Sequence, residues 1–300
     1  MYTIKDKILK LKKEKNAIIL AHFYTPDEAQ EVADYVGDSF YLAKVSQKTD
    51  ADILIFCGVS FMGESAKIIN PEKKVLMPDL SADCPMAHMA DIEKIKKLRE
   101  EYDDLAVVCY INSTAILKAN SDICVTSSNA LEIVRRLPNK NIFFIPDKNL
   151  GRFVKEMLPE KNIILNDGCC PIHANIKKEE VLKQKELHPE ALILAHPECE
   201  KEVCDLADYL GSTLDIINYA KDSSQKEFII LTEEGVLYEL KKNNPDKYFY
   251  FIDKKPVCPD MKLNNLINIL SVLENEDNEV TLKNDLRESA IKPLERMLEF

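Results

Sequence analysis

Cys84, Cys170 and Cys258 are each followed by proline, at intervals of 86 and 88 residues. A thiolate is a metal ligand, and three from distant points of one chain can hold a centre that keeps one coordination position vacant. Structural zinc takes four ligands, usually in local C-x2-C pairs, and the chain has no such pair. Iron–sulfur clusters tolerate long-range thiolate spacing. Three thiolates on a 4Fe–4S cluster leave one open iron as a Lewis acid toward substrate oxygen or nitrogen. Cys169 adjoins the second cysteine, but the period and the following proline favour Cys170 as the ligand. Cys57, Cys109 and Cys124 fall in apolar runs and read as small buried hydrophobes. Cys199 and Cys204 lie among acids and a lysine and read as surface thiols.

The same period carries other polar groups. His22, Tyr110 and His196 are 88 and 86 residues apart, as are Ser39, Ser127 and Thr213, and Pro71, Pro159 and Pro245. AIILAHFYTPDEAQEVADYVGDS at 17–39 returns as ALILAHPECEKEVCDLADYLGST at 191–213. Columns sharing one period identify a unit used three times. The first column continues into Phe23-Tyr24, Ile111-Asn112 and Pro197-Glu198, and His, Tyr and Glu are groups that move protons in condensation and dehydration chemistry. Ser39, Ser127 and Thr213 each precede a helical pattern, so each is a candidate N-cap. Three helix N-termini turned to one centre offer N–H groups and positive dipole ends to carboxylates or phosphate. His173, three residues past Cys170, lies within reach of the same centre, whereas His88 and His188 read as structural or exposed. Thr25-Pro26-Asp27-Glu28 reads as a capping box with proline at N1.

The elements that must position these groups recur in one order. A charged amphipathic helix opens each copy (Ile4–Lys15, Asp91–Tyr102, Lys177–His188). An apolar strand follows (Ala17–His22, Leu105–Tyr110, Ala191–His196), then a second helix. Short β-rich runs at Ile53–Val59, Asn141–Pro146 and Glu227–Thr232 predict another strand. A last one (Val75–Pro78, Ile163–Leu165, Tyr248–Ile252) leads to the Cys-Pro. Strands alternating with helices imply an α/β fold with parallel sheets and right-handed crossovers. Ligands bind such sheets outside the strand carboxyl ends, where His22, Tyr110, His196 and the three cysteines fall. The expected units are 1–84, 85–170 and 171–258. A C-terminal helical segment, 259–300, would pack on the first unit through Leu263–Leu273, with Glu274–Glu279 as a solvated turn.

Composition bounds the rest. A chain of 300 residues is 46% hydrophobic and 30% charged, with a formal net charge of −11 that disfavours nucleic acid and anionic membrane as partners. No run reaches the length of a membrane span, and the N-terminus lacks a signal-peptide core, so a cytoplasmic location is expected. Nine dispersed cysteines point to free thiols or metal ligands rather than a disulfide framework. With seven glycines and no G-x-G-x-x-G or P-loop, dinucleotide binding has no support.

The motifs MPDLSADCPMA, VVCYINSTA, VTSSNA, PDKNLG, GCCPIH, LAHPEC, YLGST and VCPDMK, with the KLKKEK…IILAHFY start, resemble the quinolinate synthase family of de novo NAD biosynthesis over essentially the whole chain. The resemblance implies three homologous three-layer αβα domains in a pseudo-threefold arrangement around a central cavity. It implies one 4Fe–4S cluster on Cys84, Cys170 and Cys258. The implied reaction condenses iminosuccinate with dihydroxyacetone phosphate to quinolinate, phosphate and two waters. His22, Ser39, Tyr110, Ile111, Asn112, Ser127, His196, Pro197, Glu198 and Thr213 match the substrate-binding set, and Tyr24 matches a tyrosine linked with catalysis. Tyr24, His22, His196 and Glu198 are the candidates for proton transfer, with the division of labour open. A transient partner, an aspartate oxidase or dehydrogenase, would supply iminosuccinate. Leu80 departs from the family, standing where some members carry arginine. The alternatives are another three-cysteine 4Fe–4S enzyme of similar three-repeat architecture, or a non-catalytic protein stapled by a metal. The first would need an electron donor or S-adenosylmethionine and carries motifs unlike LAHFY and LAHPEC. The second leaves the His/Tyr/His column without a purpose.

Overall fold

The computed structural model describes residues 3–300. Twelve strands form three separate four-stranded sheets, every pairing parallel. The first holds β1 (Ala17–His22), β2 (Tyr35–Gly37), β3 (Ile53–Cys57) and β4 (Lys74–Leu76). The second holds β5 (Ala106–Tyr110), β6 (Ile123–Val125), β7 (Asn141–Ile145) and β8 (Asn162–Leu165). The third holds β9 (Leu192–Ala195), β10 (Tyr209–Leu210), β11 (Glu227–Leu231) and β12 (Tyr248–Tyr250). Each sheet runs in the order second, first, third, fourth. The central strands β3 and β5 are buried throughout, as sheets covered by helices on both faces require.

The sequence predicts three strands per unit; the structure has four. The extra strand (β2, β6, β10) is two or three residues long, too short to show a period. An aspartate just ahead of it starts the pairing. Asp34, Asp122 and Asp208 each accept a backbone N–H of the first strand through Oδ2, from Ile19 (2.8 Å), Val107 (2.7 Å) and Ile193 (2.8 Å). Each aspartate then donates its own N–H to the carbonyl of that same residue at 2.9 Å. These positions keep the 88/86 spacing, so a charge-assisted bond sets the same sheet edge three times. Asp208→Ala is expected to lower stability by about 1.5–3 kcal/mol, the usual range for hydrogen bonds to charged groups. Urea unfolding checks this, and an unchanged midpoint would assign the edge to its side-chain packing instead.

The strand order places the reversal of chain direction at the carboxyl ends of the first and third strands, where ligands collect in open α/β sheets. The chain's far end returns to that rim. Lys262 Nζ donates to the Tyr24 carbonyl at 2.8 Å, and Asn264 exchanges two hydrogen bonds with the Gly58 backbone at 3.0 and 3.1 Å. Helix Leu266–Asn275 packs on helix Ile4–Glu14, with Ile269, Val272 and Leu273 sharing a core with Ile8 and the first sheet. Helix Asn284–Leu298 lies over the short helix Ala115–Ala119, over β6 and against helix Ser60–Ile69.

Two local expectations are corrected and one is extended. The acidic stretch 274–279 is largely exposed, as expected, and is also pinned: Glu276 bonds Lys15 and Lys74, each at 2.7 Å, and the two ammonium groups hold its carboxyl down to about 2. Glu279 pairs with Lys67 at 3.1 Å. Thr25 forms no capping box, since its hydroxyl donates to the His22 carbonyl at 2.8 Å and helix Asp27–Val32 begins without a side-chain cap. Cys199 and Cys204 are buried, because both belong to the third unit's own core with Ile176, Val181 and Ile229; Arg152 of the second unit donates to the Cys199 carbonyl at 3.1 Å. Among the described residues no helix is long and apolar enough to cross a membrane.

Candidate functional site

All three sheets deliver residues to one cavity of about 160 Å³. Cys84, Cys170 and Cys258 line it, from three loops that follow β4, β8 and β12. Cys169 does not. His22, Tyr24, Ser39, Tyr110, Ile111, Asn112, Ser127, His196, Glu198 and Thr213 are also on its wall, whereas Pro197 is buried behind it. Among the described lining residues there is no lysine or arginine, so N–H groups, hydroxyls and imidazoles are what the wall offers an anion.

The three hydroxyls reach the cavity because they are not the helix caps. Asp38 caps the helix that begins at Ser39, accepting the Tyr41 N–H at 2.8 Å. Ser212 caps the helix that begins at Thr213 in a reciprocal box with Asp215. Ser127 stands two residues ahead of Asn129, the N-cap of helix Ala130–Arg136. The sequence assignment is therefore corrected by one or two positions in each unit. Ser127→Ala should leave stability within about 0.5 kcal/mol of the parent, while Ser212→Ala should lose about 1 kcal/mol of cap energy. Comparative chemical unfolding of the two variants tests the distinction.

A continuous hydrogen-bond chain crosses the floor. Glu198 Oε2 meets His173 Nδ1 at 2.7 Å, and His173 Nε2 meets Thr232 Oγ1 at 2.9 Å. Thr232 Oγ1 meets the Tyr24 hydroxyl at 2.8 Å, which meets Thr213 Oγ1 at 2.6 Å. All these groups are buried or nearly so. The stretch Thr232–His173–Glu198 is a hydroxyl, an imidazole and a carboxylate in the order that activates a hydroxyl for proton exchange. His173 Nδ1 also lies 3.2 Å from Cys170 Sγ, so the chain touches the thiol wall. Thr232 is missed by the sequence reading, since its counterparts at the same period are Gly58 and Pro146, which share no chemistry with it.

The first and third units repeat a second device. The Tyr24 N–H donates to His22 Nδ1 and the Glu198 N–H to His196 Nδ1, both at 3.2 Å. A backbone N–H can only donate, so Nδ1 accepts and each neutral ring carries its proton on Nε2. Burial brings both imidazoles down to about 3, keeping them neutral at ordinary pH. Burial alone would raise Glu198, but His173 and then His196 outweigh it and bring its carboxyl down to about 2. Burial, and then the Glu198 charge, hold Tyr24 well above the usual phenol range, so it enters any reaction protonated. The site thus pairs a fixed carboxylate with a retained phenol proton, one at each end of a relay.

Burial likewise pushes Cys84 up to about 12 and Cys258 up to about 11. These thiols ionise when a cation arrives, so metal binding releases protons. Among the described residues the one compact donor group is Cys170, His173 and Glu198, whose ligand atoms lie within 4.8 Å of one another; it is a candidate metal site. The three sulfurs form no group that compact. Tetrahedral zinc with 2.3 Å bonds needs sulfurs about 3.8 Å apart. Three cavity thiols spread more widely fit a polynuclear centre.

A sequence model of the family described as Quinolinate synthetase A protein matches residues 6–299. The quinolinate synthase of Caldicellulosiruptor saccharolyticus is 55% identical over 297 residues, 99% of this chain and 98% of its own. That of Clostridioides difficile is 53% identical over 291 residues, 97% and 96% of the two chains. That of Fusobacterium nucleatum is 52% identical over 298 residues, 99% of each. With the family model spanning nearly all of its length and relatives above half identity throughout, the chain belongs to the quinolinate synthetase A protein family.

Proposed function

We propose that the chain is a quinolinate synthase that condenses iminosuccinate with dihydroxyacetone phosphate, giving quinolinate, phosphate and two waters. The observation that carries this reading is the single cavity in which three thiols from three units meet the Glu198–His173–Thr232–Tyr24–Thr213 chain. Family membership and the relatives' names support it.

Cys84, Cys170 and Cys258 would hold a 4Fe–4S cluster. When bound it supplies a Lewis-acidic iron that stabilises charge developing on substrate oxygen or nitrogen. The remaining chemistry falls to the side chains. Ser39, Ser127 and Thr213 bind carboxylate and phosphate oxygens, helped by first-turn N–H groups of the helices that start at Ser39 and Thr213. Nε2–H donors on His22 and His196, with the Tyr110 hydroxyl and Asn112 amide, orient the substrates against the thiol wall. Tyr24 gives its proton to a departing hydroxyl, which leaves as water, the His173–Glu198 pair takes the proton that the substrate loses in the same elimination, and Thr232 hands that proton back to Tyr24. Burial keeps bulk water away from the carbonyl and imine carbons during this exchange. An aspartate oxidase or dehydrogenase is the class of enzyme that supplies the iminosuccinate.

Anaerobic purification followed by iron and sulfide counts tests the reading, joined to an assay for quinolinate from the two substrates. About four irons per chain, a spectrum perturbed by quinolinate and product formation are expected. A single bound zinc at the Cys170, His173 and Glu198 group, with no product, would overturn it.

A further inference from the structure

Beside each of two cavity thiols stands a buried carboxyl group that the proposed reaction leaves unused, one of which, Glu233, also reaches the cavity wall. Asp147, just past β7, accepts the Cys170 N–H on Oδ2 at 3.2 Å and the Asn149 and Leu150 N–H groups on Oδ1, each at 2.7 Å. Glu233, just past β11, accepts the Cys258 N–H at 2.9 Å and Lys262 at 2.9 Å on Oε1, and the Gly235 N–H at 2.7 Å on Oε2. Both side chains are fully buried. They are 86 residues apart and so occupy the same place in their units. The first unit has Val59 at that place, and there Asp83, next to its own cysteine, bonds Ser60 and His88 instead.

A buried carboxyl group is costly to maintain without full hydrogen bonding, and the same bonding pattern twice beside a cysteine points to a purpose. A bond to a cysteine's backbone N–H holds the peptide plane ahead of its Cα and so restrains the Cα–Cβ direction. Anchoring the N–H from the neighbouring strand end limits where Sγ can point before any metal arrives.

We propose that Asp147 and Glu233 are positioning residues for the metal centre, each aiming its cysteine thiol into the cavity through the cysteine backbone N–H. This rests on the reading above that Cys170 and Cys258 are metal ligands. Partners one shell beyond a metal typically change its affinity 10- to 100-fold when replaced.

The bonding patterns give the test its contrast. In Asp147→Asn the amide keeps its one oxygen on the two N–H groups of Asn149 and Leu150, so its NH2 faces the Cys170 N–H and the anchor is lost. In Glu233→Gln the oxygen stays with Cys258 and Lys262, so that anchor survives. Glu233→Leu removes the acceptor altogether. The measurement is the half-life of bound iron under an anaerobic chelator, with the electron paramagnetic resonance spectrum of the reduced protein and the thermal midpoint of the iron-free chain. Asp147→Asn and Glu233→Leu should lose iron about 10-fold faster or more, with altered spectra. Glu233→Gln should stay near the parent. Equal half-lives and unchanged spectra across all three would overturn the proposal, as would loss in Glu233→Gln as fast as in Glu233→Leu. Should Asp147→Asn not fold, the Leu and Gln pair at 233 decides alone. A parent chain without iron, or a Cys170→Ala variant that keeps it, would instead count against the ligand reading.

Discussion

Cys84→Ala, Cys170→Ala and Cys258→Ala are each expected to yield a folded chain without a cluster and without quinolinate formation, whereas Cys169→Ala keeps both. Two thiolates rarely retain a cubane, so each loss should be all-or-none rather than graded. The thiols are half-buried at the cavity wall rather than core-filling, so removing one sulfur leaves the sheets intact. The checks are iron and sulfide per chain after anaerobic reconstitution, with circular dichroism to establish folding. Cys169 does not line the cavity. Iron lost in Cys169→Ala but kept in Cys170→Ala would reverse the assignment in the second unit.

Tyr24→Phe should lower turnover by roughly 10²-fold or more at matched iron content, the scale of a general acid–base group. The hydroxyl it removes joins Thr213 to Thr232, so the leaving hydroxyl would lose its proton donor and the proton held by the His173–Glu198 pair would have no acceptor beyond Thr232. The ring still packs edge-on against His22 at 4.5 Å, which preserves the local fold. Glu198→Gln should resemble Tyr24→Phe in kcat if the carboxylate receives the relayed proton. Both His22 and His196 sit near 3, with charged forms depressed by burial. They lose protons only well below neutrality, so an acid limb of the rate profile near pH 6.5 cannot belong to them. Near-normal turnover in Tyr24→Phe would move the proton-donor role to another group in the cavity.

What the sequence made legible follows from how far a periodic column shares its chemistry. Three Cys-Pro pairs, a His/Tyr/His column and three hydroxyls announce themselves because all three copies kept a reactive group. Thr232 has Gly58 and Pro146 as counterparts, and Asp147 and Glu233 have Val59, so those columns look ordinary along the chain. His173 was placed near the thiols by its spacing, but its link to Thr232 joins segments 59 residues apart. The hydroxyls were assigned as caps because a Ser or Thr before an apolar run fits that role. Asp38 and Ser212, one residue earlier, compete for it and win. Edge strands of two or three residues carry no usable period, and the aspartates that start them were visible only once pairing was known. Burial of Cys199 and Cys204 comes from a core shared with Ile176, Val181 and Ile229, residues distant along the chain, which no local pattern reveals.

The return of Lys262 and Asn264 to the rim of the first sheet has a bearing on how the molecule is made. A ribosome releases the chain from its N-terminus at about 5–20 residues per second, and early domains fold as they emerge. The first two units emerge early, with Cys84 and Cys170, while Tyr24, Gly58 and the helices Ile4–Glu14 and Ala115–Ala119 still await their partners from beyond position 260. Cys258 arrives among the last residues before that clasp. If the three thiols hold the proposed metal centre, the growing chain offers only two of them until Cys258 has emerged, and loading follows that point.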